Sequence, residues 1–295
     1  MDGSRALNYL LIMFISLNLC LAIGNYNKYI NPYYLNKDNL NYIVSFLEEK
    51  NIIIESSVPR FSLPVQKIET IPLEITSTFR TNLVSKIFED KENITITNSS
   101  SNTPYNQEIR IYHNNKIFLQ FSSYQVEYLN TLLESDGNQN LSRNQALKYA
   151  ENFIEKLDLE KNKKNLKIKY RKDSNKANVT YYEIYNNLLL FESCISMDIS
   201  EKGVFRATIQ TAEVVNEYPQ KQPLYLIDEV LFKIQQILTI NDTSPIVIKD
   251  IELGYMPKNL EEIYFLEQEA VPMYKIIVDG LEYPLFVNAY TNEIQ

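Results

Sequence analysis

Tryptophan is absent from this 295-residue chain, histidine occurs once and cysteine twice. The single His113, with Cys20 and Cys194 far apart in sequence, excludes Ser-His-Asp triads supported by further histidines, HExxH zinc sites and four-cysteine zinc sites. Cys20 falls in an apolar run and Cys194 in an expected strand, so no disulfide is expected between them. Glycine is equally scarce, at 6 residues, and Gly254 and Gly280 stand alone, which leaves no glycine-rich loop to cradle a phosphate. Positive charge is short as well: 29 Lys and Arg against 37 Asp and Glu give a net charge of −8. That balance disfavours nucleic acid and anionic membrane as partners through bulk charge, and no dense basic patch is expected. No cofactor, no metal site and no catalytic residue is expected; His113, beside a turn, reads as a surface residue. The acidic pairs Glu48-Glu49 and Glu261-Glu262 lie in polar stretches that do not single out an acid and a base at a glycosidase spacing.

What the chain does contain begins with an uncharged run, Leu7 to Ile23, bounded by Arg5 and Lys28. As a helix it spans roughly 25 Å, at the short end of what crosses a bilayer. An uncleaved anchor is favoured over a cleaved signal peptide, for which Cys20 and Ala22 would occupy the minus three and minus one positions. Cleavage as a lipoprotein before Cys20 is disfavoured because Leu19 is not small. The expected topology is single-pass, with residues 1–6 as a cytoplasmic tail, 7–23 in the membrane and the bulk extracytoplasmic, although Asp2 offsets Arg5 and the α-amine. Ser16, Cys20 and Gly24 recur every four residues as a small-residue stripe, and Asn18 places an amide among lipid-facing side chains. These four residues are the candidate contact with a partner helix, by close backbone approach and hydrogen bonding.

Hydrophobic residues make up 45% and charged residues 22%, the composition of a folded body, expected to be α+β. A membrane-proximal α+β domain is expected over 31–134, with a short helix capped by Asp38 and then strands over Asn51 to Ser57, Val65 to Ser77 and Asn93 to Thr97, followed by a hairpin turning at Asn114-Asn115. The polar run Glu134 to Asn140 is the expected linker. The second domain, 141–295, is expected to hold two helix-plus-sheet units. The first opens with a capping box, Ser142 and Gln145, ahead of the stripe Ala146, Leu147, Ala150, Phe153, Ile154 and Leu157. The other begins near Pro223, and Asp279-Gly280 is its expected hairpin turn. The fragments IYHNNKIFL and IYNNLLLF are alike, which suggests an internal duplication.

The opening MDGSRALNYLLIMFISLNLCLA, the helix SRNQALKYAENFIEKL, the stretch YYEIYNNLLLFESCISMDIS and the C-terminal segment from Ile248 to Ile294 resemble the YycI (WalI) family, across essentially the whole chain at low similarity. These are single-pass membrane regulators of a cell-wall sensor kinase in low-GC Gram-positive bacteria. Departures are Gly3 where the family often carries Trp, Met273-Tyr274 in the Pro strand, and Asn292 in place of a usual Gly, a substitution that still suits a positive φ. The resemblance implies an extracytoplasmic body of two α+β domains built of PepSY-like helix-plus-antiparallel-meander units, no enzymatic activity, and two partners, the WalK/YycG-like sensor histidine kinase and the membrane protein YycH. It also implies that the transmembrane helix is the contact with the kinase. The leading expectation is therefore a non-enzymatic regulator in two-component signalling for cell-wall homeostasis. A secreted PepSY-like protease inhibitor or chaperone and a carboxylate-dependent envelope hydrolase are the rivals.

Overall fold

The structure, a computed structural model, describes residues 3–29, 31–60, 62–88, 93–100, 107–114, 116–134, 141–157, 165–172, 176–238, 245–258, 267–281 and 283–295. The expected linker beyond Glu134, the turn residue Asn115 and the pair Glu261-Glu262 lie outside them. The helices are α1 (Gly3–Tyr29), α2 (Lys37–Glu49), α3 (Ser77–Ile87), α4 (Arg143–Leu157) and α5 (Ile227–Leu238). The strands begin with β1 (Ile52–Ile54), β2 (Val65–Pro72), β3 (Ile94–Ser100), β4 (Gln107–His113), β5 (Ile117–Phe121) and β6 (Gln125–Asn130). They continue with β7 (Leu166–Lys172), β8 (Ala177–Tyr185), β9 (Leu188–Ser200), β10 (Gly203–Gln210), β11 (Ala212–Gln222), β12 (Ile246–Pro257), β13 (Gln268–Val278) and β14 (Leu285–Asn288). The protein is thus a mixed α+β chain with an N-terminal apolar helix and antiparallel-rich sheet.

Local chemistry accounts for the helix starts. At α4 the Gln145 amide N donates to Ser142 Oγ at 3.3 Å and the Ser142 amide N donates back to Gln145 Oε1 at 3.2 Å, the reciprocal capping box. Ala146, Ala150, Ile154 and Leu157 are its buried stripe. At α2 the cap is Asn36, whose side chain accepts from the Asp38 amide; Asp38 itself lies in the first turn, where a carboxylate complements the helix dipole. Helix α5 starts at Ile227, four residues beyond Pro223, with the Leu226 amide donating to Glu229 Oε2. The strand expected over Val65 to Ser77 ends at Pro72, and an unexpected helix follows: Thr76 accepts from the Phe79 amide and opens α3, which buries Leu83 and Ile87.

The chain divides into two compact units. One comprises Met1–Lys67, Tyr218–Leu253 and Val271–Gln295, the other Ile68–Glu217 and Gly254–Ala270. In the first, β1 pairs parallel to β12, and β13 pairs antiparallel to β14. Its core joins Ile43 and Leu47 of α2, Ile227, Val230, Leu231 and Ile234 of α5, and Ile248, Tyr274, Ile276 and Val287 from strands. Phe46 and Phe232 stack at 5.5 Å between the two helices.

The second unit is built from two copies of one arrangement. Helix α3 precedes the meander β3-β4-β5-β6, and α4 precedes β7-β8-β9-β10, each strand antiparallel to the next. The two meanders join through their last strands, with Glu127 of β6 opposite Thr208 of β10 in an antiparallel register. Equal topologies joined that way are related by an approximate two-fold axis between β6 and β10. The fragments IYHNNKIFL and IYNNLLLF fall on the equivalent hairpins β4–β5 and β8–β9. Asn114 has φ 51°, Asn186 48° and Asn187 64°, left-handed values that Asn tolerates better than other side-chain-bearing residues. Both helices cover the same sheet face, and one core holds Leu83, Ile87, Ala150, Ile154, Leu119, Val126, Val179 and Met197.

This corrects the expected domain boundaries. A cut between 134 and 141 would separate β6 from β10 and α3 from α4, which share a sheet and a core. The expected tight hairpin at Asp279-Gly280 is also different. Gly280 does take φ 82°, and the Leu281 amide donates to the Val278 carbonyl, but β14 begins only at Leu285, so the connection is longer than two residues. Asn292 has φ 57°, in keeping with the positive φ expected there.

Candidate functional site

Helix α1 is the first candidate. Its stretch Leu7–Tyr26 has a mean hydropathy of 2.0 over its most apolar window and none of that window is buried, so Leu10, Phe14, Leu17 and Leu21 all stand exposed. By length and composition it can cross a membrane, as an anchor or as a signal sequence. Ser16, Asn18, Cys20 and Gly24 all lie on it, and nothing lies within 4 Å of where a Gly24 Cβ would be. Asn18 Nδ2 donates to the Phe14 carbonyl at 2.8 Å, one turn back. That bond uses one of the two N–H donors of the amide inside its own helix and leaves the other N–H and the side-chain carbonyl for a partner. Cys20 is exposed and Cys194 half-buried, both as free thiols.

In the second unit three features carry polar chemistry. His113 is half-buried rather than on the surface: its ring stacks on Phe88 at 5.4 Å, and its Nε2 is buried without a hydrogen-bond partner. It lines a cavity of about 480 Å³ with Ile87, Tyr128, Asn130, Phe153 and Lys156. Its neighbour in sequence, the Asn114 turn, carried the signal of a hairpin but none of burial.

Glu192 is the next. Opposite β8 the register of β9 jumps, with Tyr182 facing Cys194 while Glu183 faces Leu190, so Phe191, Glu192 and Ser193 form a bulge. Burial pushes the Glu192 carboxyl up to about 7, and its Oε2 has no hydrogen-bond partner. Among the described residues, no group of three or more His, Cys, Asp or Glu could hold a metal.

The third feature is the sheet face opposite α3 and α4. Strand alternation sends Lys167, Lys169 and Arg171 of β7 to this face, level with Tyr182, Thr180 and Asn178 of β8. The rows continue through Asp198 and Ser196 of β9, Arg206 and Thr208 of β10, Leu129 and Glu127 of β6, and Phe118 and Gln120 of β5 to Tyr112 and Arg110 of β4. Three cations alternate along β7, and Arg206 and Arg110 stand apart on interior strands, with Asp198 and Glu127 in the same rows. A shallow cleft of about 610 Å³ lies on this face, lined by residues from β4, β5, β6 and β10.

In the first unit the buried polar groups are structural. Tyr274 donates to the Tyr225 carbonyl at 2.9 Å and shares a hydrogen bond with Ser62 at 3.0 Å, and burial pushes its phenol up to about 12. Buried Glu252 lies 3.9 Å from Lys275 across neighbouring strands.

No protein-family description matches the sequence, nor does any curated protein. Among solved structures, the chain is similar in fold to an uncharacterized protein from Eubacterium rectale, with a TM-score of 0.51 and 12% identity over 83% of this chain and 89% of that one. A second match, to the Bacillus megaterium YpeB C-terminal domain, has a TM-score of 0.38 and 16% identity over 75% of this chain and 97% of that one.

Proposed function

We propose that this protein is a membrane-anchored, non-catalytic regulator that binds a cell-envelope sensor histidine kinase together with a YycH-like second subunit, its N-terminus cytoplasmic and its body outside. The observation that carries the reading is α1: a helix with none of its apolar window buried needs a non-aqueous cover, and a bilayer supplies it. The resemblance in sequence to single-pass regulators supplies the class of partner, and the helix-plus-meander body is the architecture that resemblance implies. Without chemistry of its own, such a protein acts by differential affinity: it binds one signalling state of the kinase better than the other and shifts the population towards it. Two sides of α1 are assigned to such contacts: the stripe Ser16, Cys20 and Gly24, where small side chains let a partner backbone approach, and on the roughly opposite side Asn18, whose amide can hydrogen-bond a partner.

The test is affinity purification from gently solubilised membranes, comparing the native chain with one whose residues 7–23 are replaced by an unrelated leucine-rich span. A histidine kinase that co-purifies with the native span and is lost with the replacement is the expected result. Recovery of a processed, soluble protein without a kinase overturns the reading in favour of a secreted product.

A further inference from the structure

We propose that the helix-free face of the second unit binds an anionic saccharide in the cleft across β4, β5, β6 and β10. This face carries Lys167, Lys169, Arg171, Arg206 and Arg110 in a chain whose net charge is −8, so it attracts what the rest of the molecule repels. Two acidic groups are interleaved there, and Glu127 lines the cleft together with Arg110 and Arg206. Asp198 accepts from Asn178 Nδ2 at 3.0 Å and pairs with Lys176 at 3.8 Å, and Glu127 accepts from Gln125 Nε2 at 2.7 Å. Arg206 is exposed, opposite Asp198 in register, and forms no ion pair with it.

The cleft adds the feature that favours a sugar over a bare anion. Tyr112 and Phe118 are cross-strand neighbours whose rings meet at 5.1 Å and 86°, so the ring that points edge-on keeps both its faces clear of that contact. Around them stand the planar amide of Gln120, the Thr208 hydroxyl and the two guanidinium groups of Arg110 and Arg206. An aromatic face suits the C–H face of a pyranose, amide and hydroxyl groups suit its hydroxyls, and a guanidinium binds a carboxylate or phosphate bidentately. With strands about 4.8 Å apart and residues about 3.4 Å apart along a strand, Arg110 on β4 and Arg206 on β10, three strands apart and two residues out of line, lie roughly 16 Å apart, farther than one small anion spans.

The fold does not require these cations. Strand β3, related to β7 by the approximate two-fold and likewise paired on one side only, reads ITITNSS and carries no charge. A lysine or two on an edge strand guards against edge pairing, but Arg206 and Arg110 lie on interior strands where that need does not arise.

The test is calorimetric titration of the full-length protein in detergent micelles with galacturonic-acid oligosaccharides. The comparisons are an uncharged malto-oligosaccharide of equal length, poly-L-glutamate, and vesicles of phosphatidylglycerol. Binding of the acidic sugar that weakens at least tenfold in Arg206→Gln and in Tyr112→Ala, and is unchanged in Lys233→Gln, is the expected result. Loss in Arg206→Gln but not in Tyr112→Ala, equal binding of poly-L-glutamate, or preference for the vesicles reduces the face to a charge effect and overturns the saccharide assignment. Absence of any binding to the acidic sugar overturns it as well. None of these outcomes bears on the kinase contact, which is assigned to α1.

Discussion

A carboxyl group with no hydrogen-bond partner at Glu192 Oε2 has a thermodynamic signature. Burial holds its pKa at about 7 in the folded chain against an ordinary value of 4.5. Below the ordinary value both states are protonated and there is no penalty. Between the two values the unfolded chain gives up the proton first, so stability falls as pH rises, and above about 7 the loss is complete. The full loss is about 3 kcal/mol from the size of the shift. Glu192→Gln is therefore expected to unfold several degrees above the native chain at pH 8, with the advantage vanishing near pH 4.5. Thermal melts at the two pH values check it, and a pH-independent difference refutes it. Neither this burial nor that of His113 was legible in the sequence, because each depends on a register that long-range pairing sets. The positive φ of Asn292 was legible through the resemblance alone, because Asn stands there where the family usually carries Gly.

Among the elements, those with local chemistry in view were readable. The capping box at Ser142 and the stripe down to Leu157 place α4 within a residue of its observed start. The twin asparagines mark the β8–β9 hairpin by the positive φ they accept. Helix α3 escaped because Thr and Ser at its start and β-branched Thr81 and Val84 within it suit a strand equally well. Its signal was the cap at Thr76 with Phe79, Leu83 and Ile87 four residues apart. Pro223 misled because it sits in the extended approach to α5 and not in its first turn. Strand β12 shows what a tight backbone approach demands. A Cβ on Gly254 would lie 2.6 Å from the Leu189 carbonyl oxygen and 2.8 Å from Phe191 Cζ, at the point where β12 runs parallel to β9. Gly254→Ala is expected to destabilise the protein by about 1–3 kcal/mol through forced repacking, read as a lower urea midpoint with an unchanged slope. An unaltered midpoint would mean that the strands can part at no cost.

At the scale of the whole molecule, sequence reading placed the domain boundary at the most polar run, whereas compactness follows strand pairing. Composition marks where a chain is solvated; it does not report which strands meet. The first unit draws Val287 and Ala289 into its core from the last residues of the chain. Removing 285–295 is expected to raise hydrogen exchange across α2 and α5 while leaving the amides of β8 and β9 as protected as before, as peptide-resolved exchange can read. Equal loss of protection in both regions would show that the two units unfold together.

The interleaved path of the chain sets an order of events at synthesis. The core beneath α3 and α4 draws on residues 75 to 209 alone, so it can close while later residues are still being delivered. The core around α2 and α5 cannot, since α2 emerges early and waits for strands more than two hundred residues further on. Until α5 and those strands arrive, Ile43 and Leu47 lack most of the core that buries them, and that stretch is the natural client of a holding chaperone.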